Sequence, residues 1–304
     1  MNVPATGHLV VSGGSGLIGR ALIEAARARQ IPVVRLVRGL ARSEEESQWD
    51  PLGGRIDSQV LVGARAVVNL NGASIGRLPW TRSYRRKLIS SRLAPTRTLA
   101  SALRELGAGA PAFISASAVG YYGNQPGRVL TEESPVGNTF LAGICRQWEA
   151  EAMAAAPASR VVTLRTAPVV SRQGVLKPMV RLTKLGLGGR LGPGSQYLPW
   201  ISLVDEVEAI LHLVDSDWSG PVNLTGPAPA TAGELGRALA KQLHRPYWLP
   251  TPAWALRLAL GADAADSLLL ADARVVPAAL LASGFRFQHR TVDEAVAAAL
   301  AANS

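Results

Sequence analysis

Three glycines at a spacing of three, Gly13, Gly16 and Gly19, follow the apolar run HLVV (8–11) and open the helix-forming stretch LIGRALIEAARARQ (17–30). Strand, glycine turn and helix in this order can bind a diphosphate. Gly13 permits the tight turn, Gly16 lets the main chain approach a pyrophosphate, and Gly19 lets helix pack on strand. Phosphate oxygens then meet the free amides of Leu17 and Ile18 at a helix N-terminus, where the dipole favours anions. Ser12 and Ser15 place hydroxyls beside them. The pattern predicts a dinucleotide at Gly13, Ser15, Gly16, Leu17, Ile18 and Gly19.

The second apolar run, PVVRLV (32–37), ends at Arg38, and the first acid after it is Glu44. A carboxylate at that strand end would hold a ribose 2′-hydroxyl and repel a 2′-phosphate, whereas arginine forms a bidentate, charge-assisted pair with the phosphate. The expected cofactor is NADP(H), with Arg38 on its 2′-phosphate. Arg35 is a second candidate, and equally a residue of the fold's surface.

These residues need a sheet to hold them. RAVVNL (65–70), PAFISAS (111–117) and RVVTLRT (160–166) read as further strands, separated by helical stretches at about 82–106 and 143–156. Strands alternating with helices imply parallel pairing, because parallel neighbours need crossovers. The predicted fold is α/β, a Rossmann-type doubly wound parallel sheet. Beyond residue 170 Gly and Pro become dense in KLGLGGRLGPGSQYLP (184–199). There the backbone turns sharply and can approach a ligand. The expected division is a dinucleotide-binding core over 1–170 and a smaller C-terminal substrate lobe over 171–304, interwoven with the core and including a C-terminal segment, 250–304.

The 304 residues are 48% hydrophobic and 18% charged, enough apolar material for a sizeable core. The net charge is +10. The basic residues are mostly scattered, without a nucleic-acid-binding signature, so no nucleic-acid partner is expected. The exception, Arg77 to Arg97, holds seven basic residues and no acid; it reads as a solvated helix face raising the potential near an anionic ligand. No apolar run approaches the ~18 residues of a membrane span, and the N-terminus lacks a signal-peptide pattern, so a cytoplasmic protein is expected. One cysteine, Cys145, excludes an internal disulfide, and the four histidines, His8, His212, His244 and His289, have no ligand spacing. No metal is predicted.

SGGSGLIG (12–19), VVNLNGASIG (67–76), Ser91-Arg92, SASAVGYYG (115–123), FLAGICRQWE (140–149), LRTAPVV (164–170), LPWISLVDEV (198–207) and GPVNLTGP (220–227) together carry a resemblance. The chain resembles the extended short-chain dehydrogenase/reductases, the NAD-dependent epimerase/dehydratase group. It is most similar to an atypical branch of epimerase family proteins, nucleoside-diphosphate-sugar epimerase-like, with that branch's C-terminal segment at 268–287. The resemblance places the Leu70, Asn71 and Gly72 backbone against the dinucleotide and Ser115 to Ser117 near the nicotinamide. Ser117, four residues before Tyr121, matches the superfamily's catalytic serine.

One departure follows from the same resemblance. The superfamily's Tyr-x-x-x-Lys pair moves a proton to or from a carbonyl or alcohol. Here the matching positions are Phe140/Ile144 or Leu141/Cys145, and neither pair can do so. Either Tyr121, Tyr122 or Cys145 serves with Ser117, or the cofactor is bound without turnover. For Cys145 a small buried hydrophobe is the plainer reading. Asp205 and Glu206 are read as caps of the next helix, Trp200 as lobe packing or a cleft wall, and Arg165 as an anion holder or structural ion pair. An NADP(H)-dependent reductase or epimerase-like enzyme with a small or nucleotide-linked substrate leads. In it a Ser117 hydroxyl polarises a carbonyl, and the long helices allow a homodimer. The alternative is an NADP(H)-binding regulatory or assembly protein, related to cell division.

Overall fold

A computed structural model of the chain describes residues 7–301. The first half runs β1 (Leu9–Ser12), α1 (Leu17–Ala28), β2 (Val33–Val37), β3 (Glu46–Gln48), β4 (Ala66–Asn69), α2 (Arg82–Leu106), β5 (Ala112–Ala118), β6 (Val129–Leu130) and α3 (Phe140–Met153). The second runs β7 (Val161–Thr166), β8 (Val169–Val170), α4 (Leu176–Lys184), β9 (Ile201–Ser202), α5 (Leu203–Val214) and β10 (Gly220–Leu224). The chain then folds into α6 (Ala232–Gln242), α7 (Ala253–Leu260), α8 (Ala262–Leu268), β11 (Arg274–Val275), α9 (Ala278–Ala282) and α10 (Val292–Ala301).

Seven strands form one sheet in the order β10-β7-β5-β4-β1-β2-β3. Every pairing in it is parallel. The expected doubly wound sheet is present. Its inner strands are buried on both faces, which is why β1 reads as a continuous apolar run rather than an alternating one. α1 buries Gly19, Leu22, Ile23 and Ala26, a helical stripe that packs with α5 on one face of the sheet. α2 and α3 cover the other face, through Leu99, Leu103 and Ala152 against Val10, Val67, Phe113 and Val161. Thr81 and Thr139 cap these two helices by accepting from the Tyr84 and Ala142 amides.

Residues beyond 170 are shared between the sheet and its surroundings. β10 completes the sheet and α5 packs on its face, while α4, α6 and α10 gather around Trp200 in an apolar cluster of their own. Trp200 is a packing residue: its indole donates to the Ala228 carbonyl at 3.0 Å, and Gly226 lies where a Cβ would fall 2.5 Å from its ring. The short pairs β6 with β11 and β8 with β9 tie the later segments back to the core. Ala264 of α8, with Leu260 and Leu268, packs against Trp80 and Leu141. Among the described residues no helix is long and apolar enough to cross a membrane, and no cluster of three His, Cys, Asp or Glu could hold a metal.

Candidate functional site

The glycine turn is shaped by contacts that leave no space for side chains. Gly13 has φ +77°, and a Cβ there would stand 2.6 Å from the Leu70 carbonyl oxygen. The cradle therefore rests directly on the loop after β4. The Gly16 amide donates to the Gly13 carbonyl at 3.0 Å. A Cβ on Gly19 would lie 2.5 Å from the Gly13 oxygen and 2.8 Å from the Gly14 Cα, both main-chain atoms. Gly19→Ala is accordingly expected to destabilise the chain by about 1–3 kcal/mol, the usual cost of overpacking. Urea unfolding checks this, and a variant as stable as wild type would contradict the close approach.

α1 starts at Gly16 with no side-chain cap and no acid in its first turn. Its leading amides, Leu17 and Ile18 among them, are left for an anion. Ser15 is exposed on the turn, its carbonyl taking a hydrogen bond from Arg20. At the end of β2, Arg38 is exposed and has no ion-pair partner among the described residues. Arg35 differs: it pairs with Glu46 at 2.7 Å, and its side chain lies over Gly14. Of the two arginines, Arg38 is the one whose charge stays uncommitted. A diphosphate with a ribose phosphate fits this donor set.

Beneath the cradle lies a buried polar layer. Ser12 donates to Asn69 Oδ1 at 3.0 Å, and Asn69 Nδ2 donates to Thr96 and Ser115 at 2.8 and 3.3 Å. Asn71 adds its own amide to Asn69 Oδ1 at 2.9 Å. Ser115, expected near the nicotinamide, is fully buried, and its hydroxyl supports the strand ends. Gly72 is exposed against the Arg92 guanidinium, which donates to the Leu88 and Ala73 carbonyls and stacks on Trp148. Burial lowers the Arg92 pKa. The stretch 77–97 is therefore not simply a solvated face. Arg92 is built into the site, Arg85 pairs with Asp263 and Arg97 with Glu151.

At the end of β5, Ser117 donates to Glu149 Oε1 at 2.7 Å. Arg165 grips the same carboxylate bidentately, Nε to Oε1 and Nη2 to Oε2, both at 2.9 Å. It also donates to the Tyr122 hydroxyl and the Glu132 carbonyl, and lies 3.6 Å from the centre of the Tyr121 ring. Arg165 is thus an ion-pair residue, not a free anion holder. Burial works against its charge, but the contacts to Glu149 and Tyr122 hold its pKa above the ordinary value. Glu149 was not foreseen, although it stands one helical turn after Cys145 and so on the same face of α3.

The two tyrosines part company here. Tyr121 is half-buried over Arg165, whereas Tyr122 is fully buried and donates to Asn223 Oδ1 at 2.6 Å. Burial pushes its phenol up to about 12. Tyr122 is therefore a core residue locked between β7 and β10, contrary to the catalytic expectation. Cys145 is buried against Ser117 and Ala118, and burial pushes its thiol up to about 12. It is a core residue, as the plainer reading held. Ser117, buried at the strand end, gives its proton to Glu149.

Neither acid of LVDEV caps α5. Ser202 does so, accepting from the Asp205 amide at 3.0 Å. Asp205 instead receives the Gln288 and His289 amides, and Glu206 takes the Thr166 hydroxyl at 2.8 Å.

The model of the NAD dependent epimerase/dehydratase family matches residues 9–224, which include the cradle, Ser117, Glu149 and Arg165. The chain belongs to this family. A domain of unknown function, DUF1731, matches residues 251–299. Epimerase family protein ML0860 of Mycobacterium leprae is 43% identical over 291 residues, 95% of this chain and 94% of the relative. The chloroplastic SDR39U1 homolog of Arabidopsis thaliana is 32% identical, over 95% of this chain and 85% of its own length. The crystal structure of human epimerase family protein SDR39U1 with NADPH superposes with a TM-score of 0.88 at 27% identity, covering 97% of this chain and 99% of that one. Of the residues read as matching the superfamily's proton-transfer pair, Phe140/Ile144 or Leu141/Cys145, Leu141, Ile144 and Cys145 are buried.

Proposed function

We propose that this chain binds NADP(H) along the carboxyl edge of the sheet and is an oxidoreductase of the epimerase type, acting on a small or nucleotide-linked substrate. The observation that carries it is the uncapped, acid-free start of α1 over the Gly13 turn, with uncommitted Arg38 at the end of β2. The NADPH-bound human relative supports the choice of cofactor. When bound, the nicotinamide supplies hydride exchange. Ser117 accepts a hydrogen bond from a ligand hydroxyl and passes its own proton toward Glu149, which Arg165 holds in place. Tyr121 is the remaining phenol beside them.

Titration with NADPH and NADH tests the reading. NADPH is expected to bind the tighter, and Arg38→Ala to cost it about 1.5–3 kcal/mol, a loss of roughly ten- to hundredfold, with NADH unchanged. Equal affinities in the wild type, or an Arg38→Ala variant that keeps its preference, would remove the assignment. The lack of a Tyr and Lys at Phe140/Ile144 or Leu141/Cys145 favours a second reading, a cofactor-binding regulatory protein without turnover. Tight NADPH binding with no oxidation or reduction across a panel of alcohols and carbonyls would favour it.

A further inference from the structure

Two segments are basic and free of acids, and the first of them begins beside the cradle, where Gln173 accepts from Arg20 at 2.9 Å. Residues 173–204 and 235–262 contain eight Lys and Arg and no Asp or Glu. All eight are exposed, and only Arg257 has a carboxylate partner among the described residues, Asp266. The fold brings the segments together. The Trp248 and Leu249 amides donate to the Gly188 carbonyl, the Trp248 indole donates to the Gly186 carbonyl at 3.2 Å, and Thr251 pairs with Leu191.

Large apolar side chains stand out of this same basic surface. Leu185 is 74% exposed, Trp248 67%, Trp254 69% and Leu258 82%. Trp254 and Leu258 are four residues apart on α7 and so share one face of the helix. Four of the other five tryptophans, Trp49, Trp80, Trp148 and Trp200, are buried, and Trp218 is half-buried. Indole and leucine side chains left in water at a basic surface combine the two features that bind an anionic lipid interface: apolar groups that enter the acyl boundary and cations that stay at the headgroups.

We propose that the surface formed by 185–190 and 245–258 docks on an anionic membrane, with Trp248, Trp254, Leu185 and Leu258 entering the interface. Charge selects this occupant over a second copy, since two such faces would meet with cations on both sides, and the one carboxylate seen against them, Asp266, is already paired with Arg257. The aliphatic pair Leu185 and Leu258 selects it over nucleic acid, whose bases stack on aromatic and guanidinium planes rather than on leucine. α7 leads directly into α8, whose Ala264 packs with Leu260 and Leu268 on Trp80 and Leu141. The docked face would thereby adjoin the apolar wall beside the site. This inference does not depend on the proposed oxidoreductase role.

The full chain is sedimented with vesicles of phosphatidylcholine alone and of an equal mixture with phosphatidylglycerol, at low and high salt. At least tenfold stronger partition onto the mixed vesicles is expected, weakening with salt. Acyl-brominated lipids should quench indole fluorescence, which here reports chiefly on Trp248 and Trp254. Trp248→Ser with Trp254→Ser should lower partition at least tenfold while circular dichroism and the melting curve stay those of the wild type. Sedimentation with neither vesicle, or equally with both, overturns the proposal. So does partition that survives the double substitution, which would move the contact elsewhere, such as to α2. Light scattering that shows the two tryptophans holding copies together, or binding of a single-stranded oligonucleotide without vesicle binding, assigns the surface to the competing occupant.

Discussion

Glu149→Leu will destabilise the folded chain by about 3–5 kcal/mol, because it leaves the Arg165 guanidinium buried with no carboxylate. The Arg165 side chain is 4% exposed and that of Glu149 13%, so water cannot replace the lost partner. What remains to Arg165 is the Tyr122 hydroxyl and the Glu132 carbonyl, both neutral acceptors. For a protein of this size the loss is a fall in Tm on the order of 10 °C. Glu149→Gln keeps the shape and one acceptor oxygen and should cost less. The double variant Glu149→Leu with Arg165→Met removes both charges and should recover much of the stability, since an apolar replacement of a whole buried pair is often neutral. Denaturant unfolding of the four proteins decides it. If the single leucine variant costs less than about 1 kcal/mol, as an exposed pair would, Arg165 has another counter-charge and the description of the site is wrong.

The pair also explains why Ser117 cannot be judged from its position alone. A strand-end serine facing a nicotinamide can donate to a carbonyl or accept from a hydroxyl, and LRTAPVV or SASAVGYYG does not say which. The group that takes the Ser117 proton is Glu149, on α3 and 32 residues away. Its sequence signal was the four-residue spacing from Cys145, which puts both on one face of α3. Ser117 and Arg165 reach that face together because β5 and β7 pair them directly, a register that no local pattern carries.

Much of the cofactor cradle was legible because its causes are local. A positive φ at Gly13 and a helix pressed against the turn at Gly19 require glycine whatever surrounds them. The place of Arg38 just after β2 was equally legible, since the end of that strand is set by the length of one βαβ unit. The fates of Ser115 and Tyr122 were not. Each sits at the end of or just after a buried strand, and which way a side chain points there depends on the partner strand. Asn69 on β4 turns Ser115 inward, and Asn223 on β10 takes the Tyr122 hydroxyl from 101 residues further along the chain. The basic stretch 77–97 shows the same limit: Asp263 and Glu151, which neutralise two of its arginines, are brought there only by folding.

Raising the pH from 4.5 to about 8 should weaken the fold through Glu206, and Glu206→Gln should remove that loss. The carboxyl is fully buried, accepts the Thr166 hydroxyl, and has no cation beside it among the described residues. Burial lifts its pKa from 4.5 to about 8, with the Thr166 bond opposing only in part. Between these values the unfolded chain has released the proton and the folded chain keeps it. The folded state thus binds more protons, and stability falls as pH rises across the window, then levels off above it. At about 1.4 kcal/mol per pKa unit the full loss is on the order of 5 kcal/mol. The glutamine variant has nothing to ionise there and can still accept from Thr166. Urea unfolding at about pH 4.5 and about pH 8.5 should therefore find the variant close to wild type at the lower pH and ahead by roughly 3–5 kcal/mol at the higher. Thr166 follows Arg165 on β7, so a neutral Glu206 steadies the strand end next to the Glu149 pair without adding a second buried charge there. An equal difference at both pH values would mean that Glu206 is ionised in the folded chain, held by a cation or by solvent.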